Sequence, residues 1–499
     1  MTPLLTLAQL RAVEAAAQAL LPPRTLMTRA GRAVADAALA LGAPRQLLLA
    51  GPGNNGGDAL EAAALLHGAG QAVTVVLFGD AARLPPDAAG AHALCVQAGV
   101  RFAPPAELPA LLTGDSCVVE GLFGIGLQRA IGGAFRDAIE RVNAHAGPVL
   151  AIDIPAGIDC DSGAVVGGAD GIALRASATV TMIGDKPGLH TGAGLMHAGR
   201  IRLAALGLDA EARAAATGAL NAPDGFAALL APRALDSHKG SFGDLRIVGG
   251  AAGMTGAAVL AARTGLLAGA GRVFVHTLAA APAYDPLHPE IMWRALGNAD
   301  ELAALGGACV VGPGLGQSAA ARAVLHGLLA GAGRLVLDAD ALNLIAADAA
   351  LAAALAARAD LADRPPAILT PHPLEAARLL GGDAASVNAD RVASALRLAR
   401  QHRCVAVLKG AGTVIAAPDG RWRINPTGNP GLASGGTGDV LAGLTGALLA
   451  RCADSFEVAC AAVWLHGRAA DDLVAAGIGP VGLVAGELAP AIRAALNPR

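Results

Sequence analysis

The sequence predicts an α/β protein of two domains, each a doubly wound sheet with helices packed on it. Three observations lead there. At 499 residues the chain is too long for one ordinary core. Short apolar runs, each followed by a glycine turn and a helical stretch, recur from end to end. The composition is 54% apolar and 15% charged, that of a packed chain. Aromatics are only 2%, so Ala, Val and Leu must fill the cores.

The elements follow in order. Thr6 and Gln9 form a capping box that opens an amphipathic helix in "TLAQLRAVEAAAQAL". Strands are then expected at "RQLLLAGPG" near Leu47, "QAVTVVLFG" near Val75, "DSCVVEGLFG" near Val118, "GPVLAIDIPAG" near Ile152 and "ASATVTMIG" near Val180. A polar, alanine-rich connector, "GLDAEARAAATGALNAPDG", places the boundary near Ala214 and gives domains 1–213 and 214–499. The second half repeats the strand–helix logic at "DLRIVGG", "GRVFVHTL", "ACVVGPGLG", "GRLVLDADAL", "PAILTPHPLE" and "CVAVLKGAGT". No sequence repeat relates the halves, so two different α/β domains are expected, the first Rossmann-like.

The bulk properties exclude several classes. A net charge of −3 offers no nucleic-acid surface. No apolar run reaches the ~18 residues of a spanning helix, so no membrane partner is expected. The start carries no basic region of a leader. The seven cysteines are scattered without a CxxC pair, which suits reduced thiols in the cytoplasm.

Chemistry gathers in glycine loops. "NPTGNPGLASGGTGDVLAGL" crowds small residues around Asp439 and then turns apolar. Successive small residues let backbone N–H groups face one concavity at a helix start, a nest for an anion. The bland reading makes Asp439 an ordinary N-cap. Against it stand three other strand ends: "LKGAGT" with Lys409, "LTPHPLE" with His372 and Glu375, and "VGPGLG" with Gly314. Ligands of open α/β sheets gather at such ends.

"GGTGD" resembles the anion-hole motif of ribokinase-like small-molecule kinases. With "HKGSFGDLRIVGGAAGMTGAAVLAARTGLLAGAGRV", "HPEIM", "LTPHPLE" and "LKGAGT", the stretch from His238 to at least Gly467 resembles the ADP-dependent NAD(P)H-hydrate dehydratases of that superfamily. The resemblance implies a ribokinase-like α/β/α fold, with Asp439 as catalytic base. It implies a phosphoryl hole at Gly436, Thr437 and Gly438, and a nucleotide loop at Lys409, Gly410, Ala411, Gly412 and Thr413. The hydrated dinucleotide would meet His372, Gly314 and the turn at Gly256–Ala258, Ala258 included. ADP with Mg2+ would be the phosphoryl donor. Glu487 stands where a small residue and an Asp are expected, a matter of packing more than chemistry.

In the first half, "LLLAGPGNNGGDALEAA" is strand, polar glycine loop and helix, suited to a diphosphate but neither Walker A nor GxGxxG. A plain strand–helix turn with Asp58 as a first-turn charge is the bland alternative. "VVEGLFGIGLQR" adds a second glycine loop, and "AIDIPAGIDCDSG" sets Asp153 at a strand end. With "LMTRAG" and "MIGDKPGL" these resemble the NAD(P)H-hydrate epimerase domain from about Leu7 to Leu206. The resemblance implies dinucleotide contacts at Asn54, Asn55, Gly56, Gly57 and Asp58, and at Gly124, Ile125, Gly126, Leu127, Gln128, Arg129 and Ala130. Asp153 would lie at the reacting ring. It also implies a potassium ion at Asn55, Glu120 and Ala156, where Glu120 replaces the usual Asp and Ala156 the usual Ser. Lys186 either neutralises a phosphate or solvates a loop.

The expected function is metabolite repair. The first domain equilibrates the R and S hydrates of NADH or NADPH, and the second dehydrates the S form at the expense of ADP. The alternative is a ribokinase-like kinase of a small alcohol or vitamin precursor, carrying a non-catalytic N-terminal binding module. Such domains often assemble into homo-oligomers, though no interface is visible in the sequence.

Overall fold

The computed structural model describes residues 1–278, 282–296, 301, 304, 306–331, 333–361 and 364–497. The chain divides into two compact units, Thr2–Gly218 and Ala219–Arg499, with Met1 counted in the second. The helix Asp209–Ala215 buries Ala212, so the first unit runs a few residues past position 213.

The first unit holds a seven-stranded parallel sheet. Its spatial order is Arg101–Ala103, Ala72–Leu77, Arg45–Ala50, Ser116–Gly121, Val149–Ile152, Ala178–Met182 and Arg200–Ala204. Strand side chains alternate between faces. Leu48 and Ala50 enter one core with the Asn54–Gly68 helix, while Leu47 and Leu49 enter another with the Gly133–Asn143 helix. Because both faces are covered, the central strands are largely apolar, while the edge strand Arg200–Ala204 keeps alternate arginines. The chain starts at a central strand, winds outward one way, then returns and winds the other way. The reversal lies between Arg45–Ala50 and Ser116–Gly121, where such sheets open a crevice at their carboxyl ends.

The second unit repeats the device. Met292–Ala295, Arg272–Thr277, Asp244–Gly249, Ala308–Val311, Arg334–Leu337, Ile368–Leu369 and Val405–Leu408 run parallel in that order. Val414–Ala416 and Trp422–Ile424 extend it antiparallel as a hairpin. The reversal falls between Asp244–Gly249 and Ala308–Val311. Ile247 and Val310 pack on the helices Thr255–Leu267, Thr437–Arg451 and Ser455–Ala475, and the alternate residues Val248 and Val311 are equally buried.

The strands expected from sequence all form. The sequence reading passed over Arg101–Ala103, Arg200–Ala204 and the hairpin, which are short or carry charge on an edge. The capping box at Thr6 and Gln9 is present. No single helix among the described residues is long and apolar enough to cross a membrane.

Candidate active sites

In the second unit the Thr437–Arg451 helix starts at Gly436, which takes φ +91° and provides no side-chain cap. Asp439 is the third residue of that helix and does not cap it, so the bland reading fails. A left-handed glycine is needed here because a Cβ would also press within 2.6 Å of Leu260. The first N–H groups of the helix are therefore left to face a ligand.

Asp439 is half-buried, and burial followed by the Asp338 charge pushes its carboxyl up to about 6. Lys409 opposes that shift. Lys409 Nζ lies 2.8 Å from Asp338 Oδ1 and 4.0 Å from Glu375. Burial alone would lower the lysine, but Asp338 and Glu375 outweigh it and hold the ammonium charged. A Cβ built on Gly438 would stand 3.5 Å from Lys409 Nζ and 3.8 Å from Asp338 Oδ2, so this ion pair borders the small-residue loop. Thr370 donates its hydroxyl to Asp338 Oδ1 at 2.8 Å. Thr437 turns its own hydroxyl back to the Leu432 and Ser434 carbonyls, so its side chain braces the loop.

The Lys409–Thr413 turn is tied by Thr413, whose hydroxyl donates to the Gly410 carbonyl and accepts the Gly410 N–H. Ala411 is exposed and Gly412 takes φ +62°. Buried Arg391 donates to the carbonyls of Leu408 and Lys409, fixing the strand end from behind. His372 caps its own helix, Pro373–Leu380: Nδ1 accepts the N–H groups of Leu374 and Glu375, so the ring proton sits on Nε2. Burial and the Lys409 charge lower its pKa, leaving it neutral and able to donate. Gly314, at φ +58°, accepts from the Ala251 N–H at 2.6 Å and closes the wall beside Met254. Ala258 departs from expectation. It lies inside the Thr255–Leu267 helix, 0% exposed, and packs on Gly250; Gly256 faces outward instead. Glu487 accepts the Val484 N–H and caps the last helix.

In the first unit a cavity of about 950 Å³ opens at the sheet reversal. Asn54, Asn55 and Asp58 line it from the helix start, Gly124 to Arg129 from the next loop, and Asp153 and Lys186 from beyond. Gly53 begins the helix without a side-chain cap, leaving its N–H groups to the cavity. Gly56 and Gly57 also answer to packing. A Cβ on Gly56 would fall 2.0 Å from the Gly51 carbonyl oxygen, and one on Gly57 2.4 Å from Met27. Ala130 lies past the lining residues, against Gly167.

Asp153 sits at φ +68°, a conformation few non-glycine residues adopt. Lys186 Nζ is 2.6 Å from its Oδ1, and the Met182 N–H donates to the same oxygen at 2.9 Å. Lys186 is only 1% exposed and also donates to Thr181, so it neither solvates a loop nor hangs free for a phosphate. Glu120 is 0% exposed, accepts the N–H groups of Leu122 and Ala156, and is pushed up to about 7 by burial. Asn55 donates to the carbonyls of Phe123 and Ile152, beside Glu120 at adjoining strand ends.

Comparison with known proteins places each unit in a family. The family profile described as NAD(P)H-hydrate dehydratase matches residues 245–489, and that of the YjeF-related protein N-terminus matches residues 23–188. A bifunctional NAD(P)H-hydrate repair enzyme of Coxiella burnetii is 38% identical over 95% of both chains. That of Escherichia coli is 36% identical, covering 95% of this chain and 89% of its own. The chain belongs to the bifunctional NAD(P)H-hydrate repair enzymes.

An ADP-dependent (S)-NAD(P)H-hydrate dehydratase of Neisseria meningitidis is 47% identical over 52% of this repair enzyme and 87% of its own length. A Bacillus subtilis ADP/ATP-dependent NAD(P)H-hydrate dehydratase co-crystallised with ATP/Mg2+ is 31% identical, covering 55% of this chain and 95% of that one, with a TM-score of 0.46.

Sequence reading of this repair enzyme missed four features. Asp338 counted only as part of a strand; its "DAD" at a strand end was the available signal. Arg391 had no local signal. Lys186 was seen without its partner. Arg11 and Glu14 line the first cavity from a helix that looked merely amphipathic.

Proposed function

We propose that the second unit converts the S hydrate of NADH or NADPH to the reduced dinucleotide using ADP, giving AMP and phosphate, and that the first unit interconverts the R and S hydrates. The observation that carries the first part is Asp439: a half-buried carboxylate beside an uncapped helix start, with Lys409 across the glycine loop.

The chemistry follows from that placement. The hydrate bears a hydroxyl at ring carbon six, and hydroxide leaves poorly. Asp439 takes the hydroxyl proton as the oxygen attacks the terminal phosphorus of ADP. The N–H groups at Gly436 to Gly438 and the Lys409 ammonium hold the moving phosphoryl group, whose transfer needs alignment and neutralisation. Phosphate then departs from carbon six, the ring nitrogen lone pair assisting, and loss of the carbon-five proton restores the ring. Nucleotide binds along Lys409–Thr413, and His372 Nε2–H and the Gly314 wall contact the dinucleotide. Among the described residues no group of three His, Cys, Asp or Glu side chains is placed to hold a metal. Mg2+ therefore fits as the partner of the ADP phosphates, carried in with the nucleotide.

Potassium fits the first unit in charge and donor type. Glu120 is sealed away and has no ion-pair partner among the described residues, and Asn55 stands beside it. Ala156 offers only its backbone, whose N–H is given to Glu120 and whose carbonyl accepts from Leu174. Asn55 and Glu120 would hold the ion, which would neutralise the buried acid. The residues of this chain do the rest: the uncapped helix at Gly53 receives the diphosphate, and Asp153, aimed by Lys186, meets the hydrated ring.

The test is absorbance at the reduced-nicotinamide band with hydrated NADH and ADP. Recovery of NADH with AMP formation is expected. A stable phosphorylated product without NADH would mark a small-alcohol kinase and end the proposal.

A further inference from the structure

Asp58 is poorly explained as a helix-start charge. It sits just over one turn into the Asn54–Gly68 helix and lines the 950 Å³ cavity together with Asp153. Within the described residues no hydrogen bond or ion pair ties it down. Asp153 is the opposite case. An ammonium and a backbone N–H both donate to its Oδ1, the bonding pattern of an ionised carboxylate. The two acids come from different walls. Asp58 rides on the helix after the central strand Arg45–Ala50, whereas Asp153 follows the strand two places along.

The geometry points to a two-acid inversion in which Asp58 and Asp153 pass one proton through the substrate from opposite sides. The inference rests on the epimerase reading of this unit. In one direction protonated Asp58 gives its proton to the hydroxyl oxygen on carbon six. The C–O bond breaks, its electron pair leaves with water, and the ring nitrogen lone pair forms an N=C iminium. A second water attacks carbon six on the other face. Its proton passes to the Asp153 carboxylate, and the electron pair returns to nitrogen. One water leaves, one enters, and one proton has moved from Asp58 to Asp153. The return reaction begins from that state with the roles exchanged.

The surroundings suit these roles. Burial, then the Asp153, Glu14 and Glu61 carboxylates, raise Asp58 well above the ordinary carboxylate range, as a proton donor at neutral pH requires. Arg11, Asp87 and Arg129 are the other charged groups lining the cavity, besides Lys186.

The experiment uses the full chain, purified R hydrate of NADH, and water enriched in oxygen-18, with epimer ratio and label followed together. Wild type should invert the hydrate faster than buffer and place one heavy oxygen on carbon six per inversion. D58N should lose at least ~10²-fold of the inversion rate in both directions, the scale of general acid–base help. D58E should recover part of it. Calorimetry of the first unit's transition confirms that each variant is folded; should D58N fail there, the isotope result and D58E decide. An active wild type with D58N inverting at a similar rate, or inversion that retains the original oxygen, overturns the two-acid route alone. A wild type no faster than buffer overturns the epimerase reading and this route with it.

Discussion

Replacing Asp439 by Asn should destroy turnover and strengthen the fold at the same time. Burial and the Asp338 charge lift the Asp439 carboxyl from 3.8 to about 6. A rise of that size corresponds to ~3 kcal/mol of preference for the protonated form. Partial contact with water trims that figure, so the expected effect is roughly 1–3 kcal/mol. The sign follows from linkage. A carboxyl whose folded pKa is raised contributes stability fully present below its unfolded value and lost as pH rises through the folded one. Wild type should weaken between about pH 4 and pH 7 relative to D439N, with the gap open at pH 8 and closed near pH 4. All three tryptophans, Trp293, Trp422 and Trp464, belong to the second unit. Urea unfolding followed by tryptophan fluorescence therefore reads that unit alone. NADH recovery in D439N should fall ~10²–10⁴-fold, and wild-type turnover should lose rate below about pH 6. A variant that turns over normally, or is less stable than wild type at pH 8, would refute the assignment of a desolvated base.

Three further outcomes are expected. Lys409→Met leaves Asp338, 2% exposed, without its cation; nucleotide KM should rise at least tenfold and the second unit should lose ~3–5 kcal/mol, read by the same urea curves. Gly56→Ala would force a Cβ to 2.0 Å from the Gly51 carbonyl oxygen, so calorimetry should show the first unit's transition lowered or lost while the second holds. Glu120 is raised from 4.5 to about 7, so in potassium-free buffer the first unit should weaken from about pH 4.5 to pH 8; potassium chloride, against lithium chloride at equal strength, should restore it at pH 8 and change little at pH 5.5. Equal transitions in the two salts at pH 8 would argue against an ion at Asn55 and Glu120.

Much of the site was legible because its parts are local. Strand, glycine loop and helix start lie within some twenty residues at Leu47–Ala63 and again at Trp422–Leu444, and local geometry follows from residue type. Partners were not legible. Lys409 and Asp338 are 71 residues apart, and Asp153 and Lys186 are 33 apart; each pair meets only because parallel strands bring their carboxyl ends to one edge. Periodicity also cannot tell a site-facing alanine from a core one, and Ala258 fell on the core side.

By itself, then, the sequence determined the α/β class, the two halves and the glycine loops that run into the helix starts at Asn54 and Thr437, Asp439 among them, since steric freedom and helix-start chemistry are properties of short stretches. Strand order, the Lys409–Asp338 and Lys186–Asp153 pairs, and the desolvation that tunes Asp439 and Asp58 were decided only by tertiary structure. Burial and Coulomb forces depend on distance through space, and distance along a folded chain does not report it.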